Sequence, residues 1–458
     1  MEFKKNQIVE VIIDDIGNEG EGIGHIDGYA LFLKDAVIGD KVRARIIKTK
    51  KNYGFARIEE IIEPSKDRVE PKCPVARQCG GCTLQHLSYE KQLEYKFQKV
   101  KNCLERIGGL SGIEEKMEPI YGMEEPYYYR NKAQFPVGTN KEGQLVTGFY
   151  AGRTHSIIDC THCAIQHPVN EQILKKVLNY MKHNKVSSYN EKTHQGLVRH
   201  IVTRVGFVTG EIMVCLVVNG SKKQLHNLNE LVESLCAIKG MTSICVNINK
   251  ERTNRILGRK VEEVYGPAYI YDYIGNIKYQ IGPLSFFQVN PVQTKVLYEK
   301  ALEYANLHGE EVVWDLYCGI GTISLFLAQK AKQVYGVEIV KEAIDDAKLN
   351  ASMNGIENAA FYVGKAEEVL PREYEKNGIY ADVIVVDPPR KGCDQKLLDT
   401  IVEMAPKRVV YVSCDPATLA RDVKIMGEKG YSVEKVSVVD QFGHSSHVET
   451  VALLVRKP

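Results

Sequence analysis

From about residue 276 onward, apolar β-branched runs alternate with helical patterns, and several runs end in residues that can do chemistry. The runs lie near 311–316, 333–337, 359–363, 381–386, 407–412 and 432–439. Their length and composition suit strands buried on both faces. Helical crossovers between consecutive strands lead to a doubly wound parallel sheet. Ligands of such sheets bind beyond the carboxyl ends of the strands. Three strand ends therefore define a candidate site: Asp315-Leu-Tyr-Cys-Gly-Ile-Gly321, Asp387-Pro-Pro-Arg390 and Ser413-Cys-Asp-Pro416.

Each strand end suggests a role. Cys414 sits where a strand gives way to a loop, and a thiolate there is a nucleophile facing a cleft. Gly319 and Gly321 let the backbone approach a ligand at a helix N-terminus. Glu338 follows Gly319 by nineteen residues, at the end of the next strand, where an acid binds ribose hydroxyls. Ser324 stands where the dinucleotide fingerprint has its third glycine, so the pattern is closer to S-adenosylmethionine sites of class I methyltransferases. Asp-Pro-Pro followed by Arg390, not by an aromatic ring, argues against methylation of an exocyclic nitrogen. Cys414 points instead to a pyrimidine carbon: a thiolate on C6 makes C5 nucleophilic, and a base must then remove the C5 proton. Glu449, in His444-Ser-Ser-His-Val-Glu-Thr-Val451, is the candidate base.

Residues 1–62 read as short strands with Gly-rich turns, as in a small β-barrel. Between Lys41 and Arg57 stand seven Lys/Arg, no acid, and the rings of Tyr53 and Phe55. Cations for phosphates and rings for bases suit single-stranded RNA, although a solvated hairpin has the same composition. Net charge is only +2, so nucleic-acid binding must come from such local patches. Tyr89–Ile107 carries an apolar stripe at Leu93, Phe97, Val100, Leu104 and Ile107, which predicts a helix ended by Gly108-Gly109. Its Lys91, Lys96, Lys99 and Lys101 are expected to face water or RNA. Residues 118–275 mix strands and helices as a separate α+β unit.

Cys73, Cys79 and Cys82 have the spacing C-x5-C-x2-C, with Gly80-Gly81 permitting a tight wrap. Cys160 or Cys163 could supply a fourth thiolate. Four thiolates suit zinc or an iron–sulfur cluster. The compact triple with one distant cysteine favours [4Fe-4S] over paired zinc knuckles. No apolar run approaches ~18 residues, and the first residues lack a signal-peptide core. The expectation is a cytoplasmic protein with no membrane association and no indicated protein partner, its twelve cysteines reduced.

The order of these motifs, with Phe286-Phe-Gln-Val-Asn290 and His447-Val-Glu-Thr450, resembles the RNA 5-methyluridine methyltransferase family over nearly the whole chain. The resemblance implies a multidomain α/β chain. It comprises a TRAM-like, OB-like barrel over 1–62, a central α+β domain with an iron–sulfur cluster over 63–275, and a Rossmann-like class I methyltransferase domain over 276–458. The helix at 89–107 is expected to pack on the last of these. It further implies Cys414 as nucleophile and Glu449 as proton acceptor. Gln288, Tyr317, Glu338 and Asp387 would contact S-adenosylmethionine, and Cys73, Cys79, Cys82 and Cys163 would hold [4Fe-4S]. Phe286 aligns with a position that stacks on the target base. Barrel and cysteine triple together imply 23S rRNA as substrate, with Arg130-Asn-Lys132 and Arg199–Arg204 as RNA contacts. The rivals are a tRNA uracil-C5 enzyme, an RNA cytosine-C5 enzyme and a non-catalytic RNA-binding protein.

Overall fold

The computed structural model describes residues 3–152 and 154–457. Strands β1 (Ile8–Ile16), β2 (Gly22–Ile26), β3 (Tyr29–Leu33), β4 (Lys41–Thr49) and β5 (Tyr53–Glu63) close into a barrel. Strict alternation drives closure: Val42, Ala44 and Ile46 of β4 turn inward with Leu31 and Leu33 of β3. The same alternation sends Lys41, Arg43 and Arg45 outward, where they pair with Glu63, with Glu60 and Glu10, and with Glu59. Part of the basic run is thus neutralised within the barrel. Lys48, Lys50, Lys51 and Arg57 have no carboxylate partner among the described residues. Near them Phe32, Tyr53 and Phe55 form a ring cluster with Tyr53 and Phe55 39% and 40% exposed.

The chain then passes through α1 (Ala76–Cys79), capped by Gly80 at φ 71°, and α2 (Tyr89–Arg106). A seven-stranded sheet follows, in the order β12-β11-β10-β9-β6-β7-β8. Its strands are β6 (Lys132–Thr139), β7 (Leu145–Tyr150), β8 (Ile157–Asp159), β9 (Val198–Val205), β10 (Ile212–Val218), β11 (Met241–Ile248) and β12 (Lys260–Tyr265). Helices α3 (Val169–His183) and α4 (Leu228–Cys236) cover one face. Val202, Met213, Cys215, Val217 and Cys245 pack into the core of the C-terminal unit from the other. Burial of β9 on both faces overturns the expectation that Arg199 and Arg204 contact RNA. Arg199 donates to the carbonyls of Asn249 and Glu251 and stacks on Tyr189, and Arg204 donates to the carbonyl of Ser285. Arg130 and Lys132 remain only partly buried and without a carboxylate partner among the described residues.

The hairpin of β13 (Ile270–Ile274) and β14 (Ile277–Ile281) straddles residue 275, the expected start of the last unit. Its buried residues join the core of that unit, and Asn350 and Asn354 accept from its Gln280 and Lys278 amides. After α5 (Pro291–Ala305) come β15 (Val312–Leu316), α6 (Thr322–Ala328), β16 (Gln333–Glu338), α7 (Lys341–Met353) and β17 (Ala359–Val363). The chain ends through α8 (Ala366–Asn377), β18 (Val383–Val386), α9 (Gln395–Met404), β19 (Arg408–Ser413), α10 (Pro416–Glu428), β20 (Tyr431–Val439) and β21 (Glu449–Arg456). The sheet order is β17-β16-β15-β18-β19-β21-β20. It departs from the all-parallel expectation at one edge, where β21 inserts antiparallel between β19 and β20.

Helix α2 belongs to this last core: Val100 and Leu104 are buried with Leu419, Ala420 and Val423 of α10. Among its lysines, Lys96 corrects the reading of a water-facing row. It is 0% exposed and forms an ion pair of 2.5 Å with Asp440, itself fully buried. Breaking a buried pair strands the remaining charge, so Lys96→Met is expected to cost about 3–5 kcal/mol in denaturant unfolding. Lys96→Met/Asp440→Leu should recover part of that loss, because an apolar pair leaves no isolated charge. No helix among the described residues is long and apolar enough to cross a membrane.

Candidate active site

Strand register brings the candidate residues to one sheet edge. Ser413 of β19 is paired with Thr450 of β21, so Cys414 and Glu449 leave adjoining strands side by side. Val386 of β18 pairs with Tyr411, which puts Asp387 on the next strand end. Asp315 lies on β15, in register with Val385 and Gly336. Asp415 caps α10, accepting from the amides of Ala417 and Thr418 at 3.0 and 3.1 Å, with Pro416 as the first helical residue. Cys414 therefore sits immediately before a helix N-terminus, whose dipole favours a thiolate.

The electrostatics oppose that dipole. Burial, then the Glu449 and Asp387 carboxylates, push the Cys414 thiol up to about 11, and Arg390 pulls it down. Burial, followed by Asp387, holds Glu449 well above the usual carboxylate range, again against Arg390. Burial lifts Asp387 to about 7. Asp315 is also raised to about 7, by burial and by Asp387, although Ser324 donates to it at 2.5 Å. A buried acidic edge of this kind lowers its own free energy by taking up a cation.

The turn after β15 is built for close approach. Tyr317 (φ 70°), Gly319 (φ 55°) and Gly321 (φ 81°) are left-handed, and at Gly321 a Cβ would also crowd Ala347 and Phe361. Glu338 accepts from the Gly319 and Val340 amides, tying the ends of β15 and β16 together. Tyr317 is half-buried. Gln288 is buried, its carbonyl accepting from Asn131 at 2.9 Å. Asn290 caps α5 and donates to the Gln441 carbonyl at 3.2 Å. The Phe286–Asn290 segment is thereby fixed to the loop before Glu449, and Phe286 stands out 70% exposed. Asn131, expected with Arg130 and Lys132 to contact RNA, is instead buried and holds Gln288, and Gln441, which no sequence pattern singles out, anchors Asn290 through its carbonyl. Asp315 is fully buried, which its motif does not reveal.

Cys73, Cys79, Cys82 and Cys163 line one cavity of about 230 Å3, together with Gln85, Arg130 and Gln166. Cys160 is not on its wall and donates its thiol to the His162 carbonyl at 2.9 Å. Burial first, then the charges of Cys163, Cys79 and Cys73, raise the Cys82 thiol; burial pushes Cys163 up to about 11. Among the described residues no group of three or more His, Cys, Asp or Glu side chains is arranged to hold a metal ion. Four thiols on one cavity wall have the donor chemistry that zinc and iron–sulfur sites use.

Comparison with known proteins agrees with this layout. The family model for tRNA (uracil-5-)-methyltransferases matches residues 88–457, and the TRAM domain model matches residues 2–58. The chain belongs to the tRNA (uracil-5-)-methyltransferase family and carries an N-terminal TRAM domain. An uncharacterized RNA methyltransferase of Halalkalibacterium halodurans is 52% identical over 454 residues, covering 99% of this chain and 98% of the relative. Another from Clostridium tetani is 51% identical, with 98% and 97% covered. Among solved structures, the Pyrococcus abyssi tRNA (uracil-54, C5)-methyltransferase in complex with S-adenosyl-L-homocysteine superposes with a TM-score of 0.79 at 27% identity. That match covers 98% of this chain and all of the other.

Proposed function

We propose that this chain methylates C5 of uridine in RNA, with Cys414 as nucleophile, Glu449 as proton acceptor and S-adenosylmethionine as methyl donor. The observation that carries the reading is the pairing of Ser413 with Thr450, which sets the thiol and the carboxyl side by side next to Asp387. The Cys414 sulfur adds to C6 of the uracil, and the electron pair moves through C5 to the C4 oxygen. Bound S-adenosylmethionine supplies an electrophilic methyl group on a sulfonium. C5 attacks that carbon, forming the C5–CH3 bond as the S–CH3 bond breaks. Glu449 takes the C5 proton, the C6–S bond breaks, and the thiolate is regenerated. Arg390 favours the thiolate and the ionised Glu449.

Gln288, Tyr317, Glu338 and Asp387 are the proposed cofactor contacts, supported by the S-adenosyl-L-homocysteine of the Pyrococcus abyssi enzyme. Asp387 gives this a pH dependence. Below about 7 its carboxyl is neutral, and above it a carboxylate faces the sulfonium. S-adenosylmethionine affinity should therefore rise with pH from 6 to 8, by at most about tenfold per unit, and then level off. Asp387→Asn should flatten that profile in titration calorimetry.

Cys73, Cys79, Cys82 and Cys163 would hold the [4Fe-4S] cluster, supported by their shared cavity. RNA would run from the ring cluster of Phe32, Tyr53 and Phe55 with Lys48, Lys50 and Lys51 toward Arg130, Lys132 and Phe286. The target uridine is flipped out to reach Cys414. A 23S rRNA substrate is supported by the cysteine triple beside the barrel. A tRNA substrate is supported by the full-length likeness to a tRNA enzyme, which removes the barrel as a discriminator. Incubation with unmodified 23S rRNA and tRNA, followed by nucleoside mass spectrometry, tests both. 5-Methyluridine in 23S rRNA is expected, 5-methyluridine in tRNA reassigns the substrate, and 5-methylcytidine overturns the reaction.

A further inference from the structure

Buried hydrogen bonds join the cysteine cavity to the loop that leads into the proton acceptor. Glu449 opens β21, and the loop 440–448 leads into it. That loop has little regular structure of its own and is held by side chains from elsewhere. Gln92 of α2, fully buried, is the central one. Its Oε1 accepts from the His444 amide at 3.0 Å, and its Nε2 faces His444 Nδ1 at 3.2 Å. The same Nε2 donates to the carbonyls of Leu84 at 3.0 Å and Leu87 at 2.7 Å. The Leu84 amide in turn donates to the His444 carbonyl at 2.9 Å. Leu84 is two residues after Cys82, and the next residue, Gln85, accepts from the Cys73 amide at 2.7 Å. His444 itself is held at φ 66°, a left-handed conformation that a histidine keeps only when its surroundings impose it.

We propose that Gln92 is a positioning residue that couples the cysteine-lined cavity to the proton acceptor. By bonding segment 84–87 and His444 together, it makes the placement of Glu449 depend on what the cavity holds. The inference rests on the proposed roles of Glu449 and of the cluster. Its physical basis is that every polar atom of the Gln92 side chain is engaged in a site closed to water. A shift of Leu84 has no solvent to absorb it and must be passed to His444 or break a bond. A cluster held by Cys73, Cys79 and Cys82 would fix Leu84, and loss of its iron would release Leu84 and with it the loop that leads to Glu449. The effect on proton removal would run through position, with no electron transferred in the methylation.

Gln92→Met keeps the volume and removes the four side-chain contacts of Gln92, leaving the Leu84 amide bonded to the His444 carbonyl. The expected result is a turnover loss of about 10- to 100-fold, the size of a small misplacement of a reacting group. S-adenosylmethionine affinity should stay within about twofold, since the variant leaves the cofactor end of the sheet untouched. Methylated, denaturant-resistant protein–RNA adduct should accumulate, because addition and methyl transfer continue while proton removal lags. Equal loss of adduct formation and turnover would overturn the proposal, because Gln92 would then be supporting the fold in general. A second measurement needs no variant: hydrogen exchange of the wild-type protein, as purified without oxygen and after chelation of its iron. Exchange should rise in 440–449 and 73–87 while β15, β16 and β18 stay protected. A rise across the whole sheet, no rise in 440–449, or a purified protein without iron and labile sulfide would each contradict the coupling. Glu449→Gln separates the two readings. If it traps adduct and Gln92→Met does not, only the coupling fails; if it traps none, the proton-acceptor role fails first.

Discussion

Cys414→Ala is expected to abolish turnover while S-adenosylmethionine still binds. Without the sulfur, C5 of uracil has no means of becoming nucleophilic. Loss of a covalent nucleophile lowers turnover by roughly 10⁴-fold or more. The substitution removes one partly buried atom from a loop whose shape is set by neighbours. Asp415 caps α10, Ser413 accepts from the Asp415 amide at 3.1 Å, and β19 is paired along its length with β21. Cofactor affinity should therefore change by less than about twofold. Calorimetry with S-adenosylmethionine beside a methyl-transfer assay separates the outcomes. Comparable loss of binding and activity would make Cys414 a structural thiol.

Glu449→Gln should leave the first two bond-forming steps in place and stall the third. The amide keeps the shape of a carboxyl that burial already pushes well above the usual carboxylate range. It cannot accept the C5 proton. Turnover should fall ~10²- to 10⁴-fold, the range for a positioned base. RNA carrying the methyl group should remain attached to the protein through denaturing electrophoresis. Absence of any trapped adduct, with activity lost, would assign proton removal to another group. Asp387 is then the nearest candidate, because it shares the same buried edge.

What could be read from the sequence followed how the signal is written. Parallel strands buried on both faces are short apolar runs, so β15 to β20 were visible to within a few residues, and each strand end delivered its motif to one edge. The barrel was visible from its short strands and Gly-rich turns, and in β4 from the alternation of buried apolar with outward basic residues. Strands β6 to β8 were not seen as strands, because Pro136, Gly138 and Gly148 interrupt the run, and β8 is only three residues long. Periodicity is local, whereas burial depends on distant partners. Nothing near Lys96 in sequence distinguishes it from a helix-surface lysine, since its partner Asp440 is 344 residues away. Arg199 and Arg204 read as RNA contacts for the same reason, and carbonyls from other segments absorb them. Glu449 was named as a base from its motif. Its burial follows from the antiparallel insertion of β21, which no run of residues encodes.

The most direct test follows the proton that Glu449 is proposed to take. Protein purified without oxygen is incubated with S-adenosylmethionine and unmodified 23S rRNA or tRNA carrying tritium at uridine C5. The account predicts one tritium released to water for each methyl group gained, none with Cys414→Ala, and 5-methyluridine as the product. Release from 23S rRNA matches the proposed substrate, and release from tRNA keeps the chemistry and changes the partner. Methyl incorporation without tritium release, or no release from either RNA by protein that binds S-adenosylmethionine and holds its iron, would contradict it.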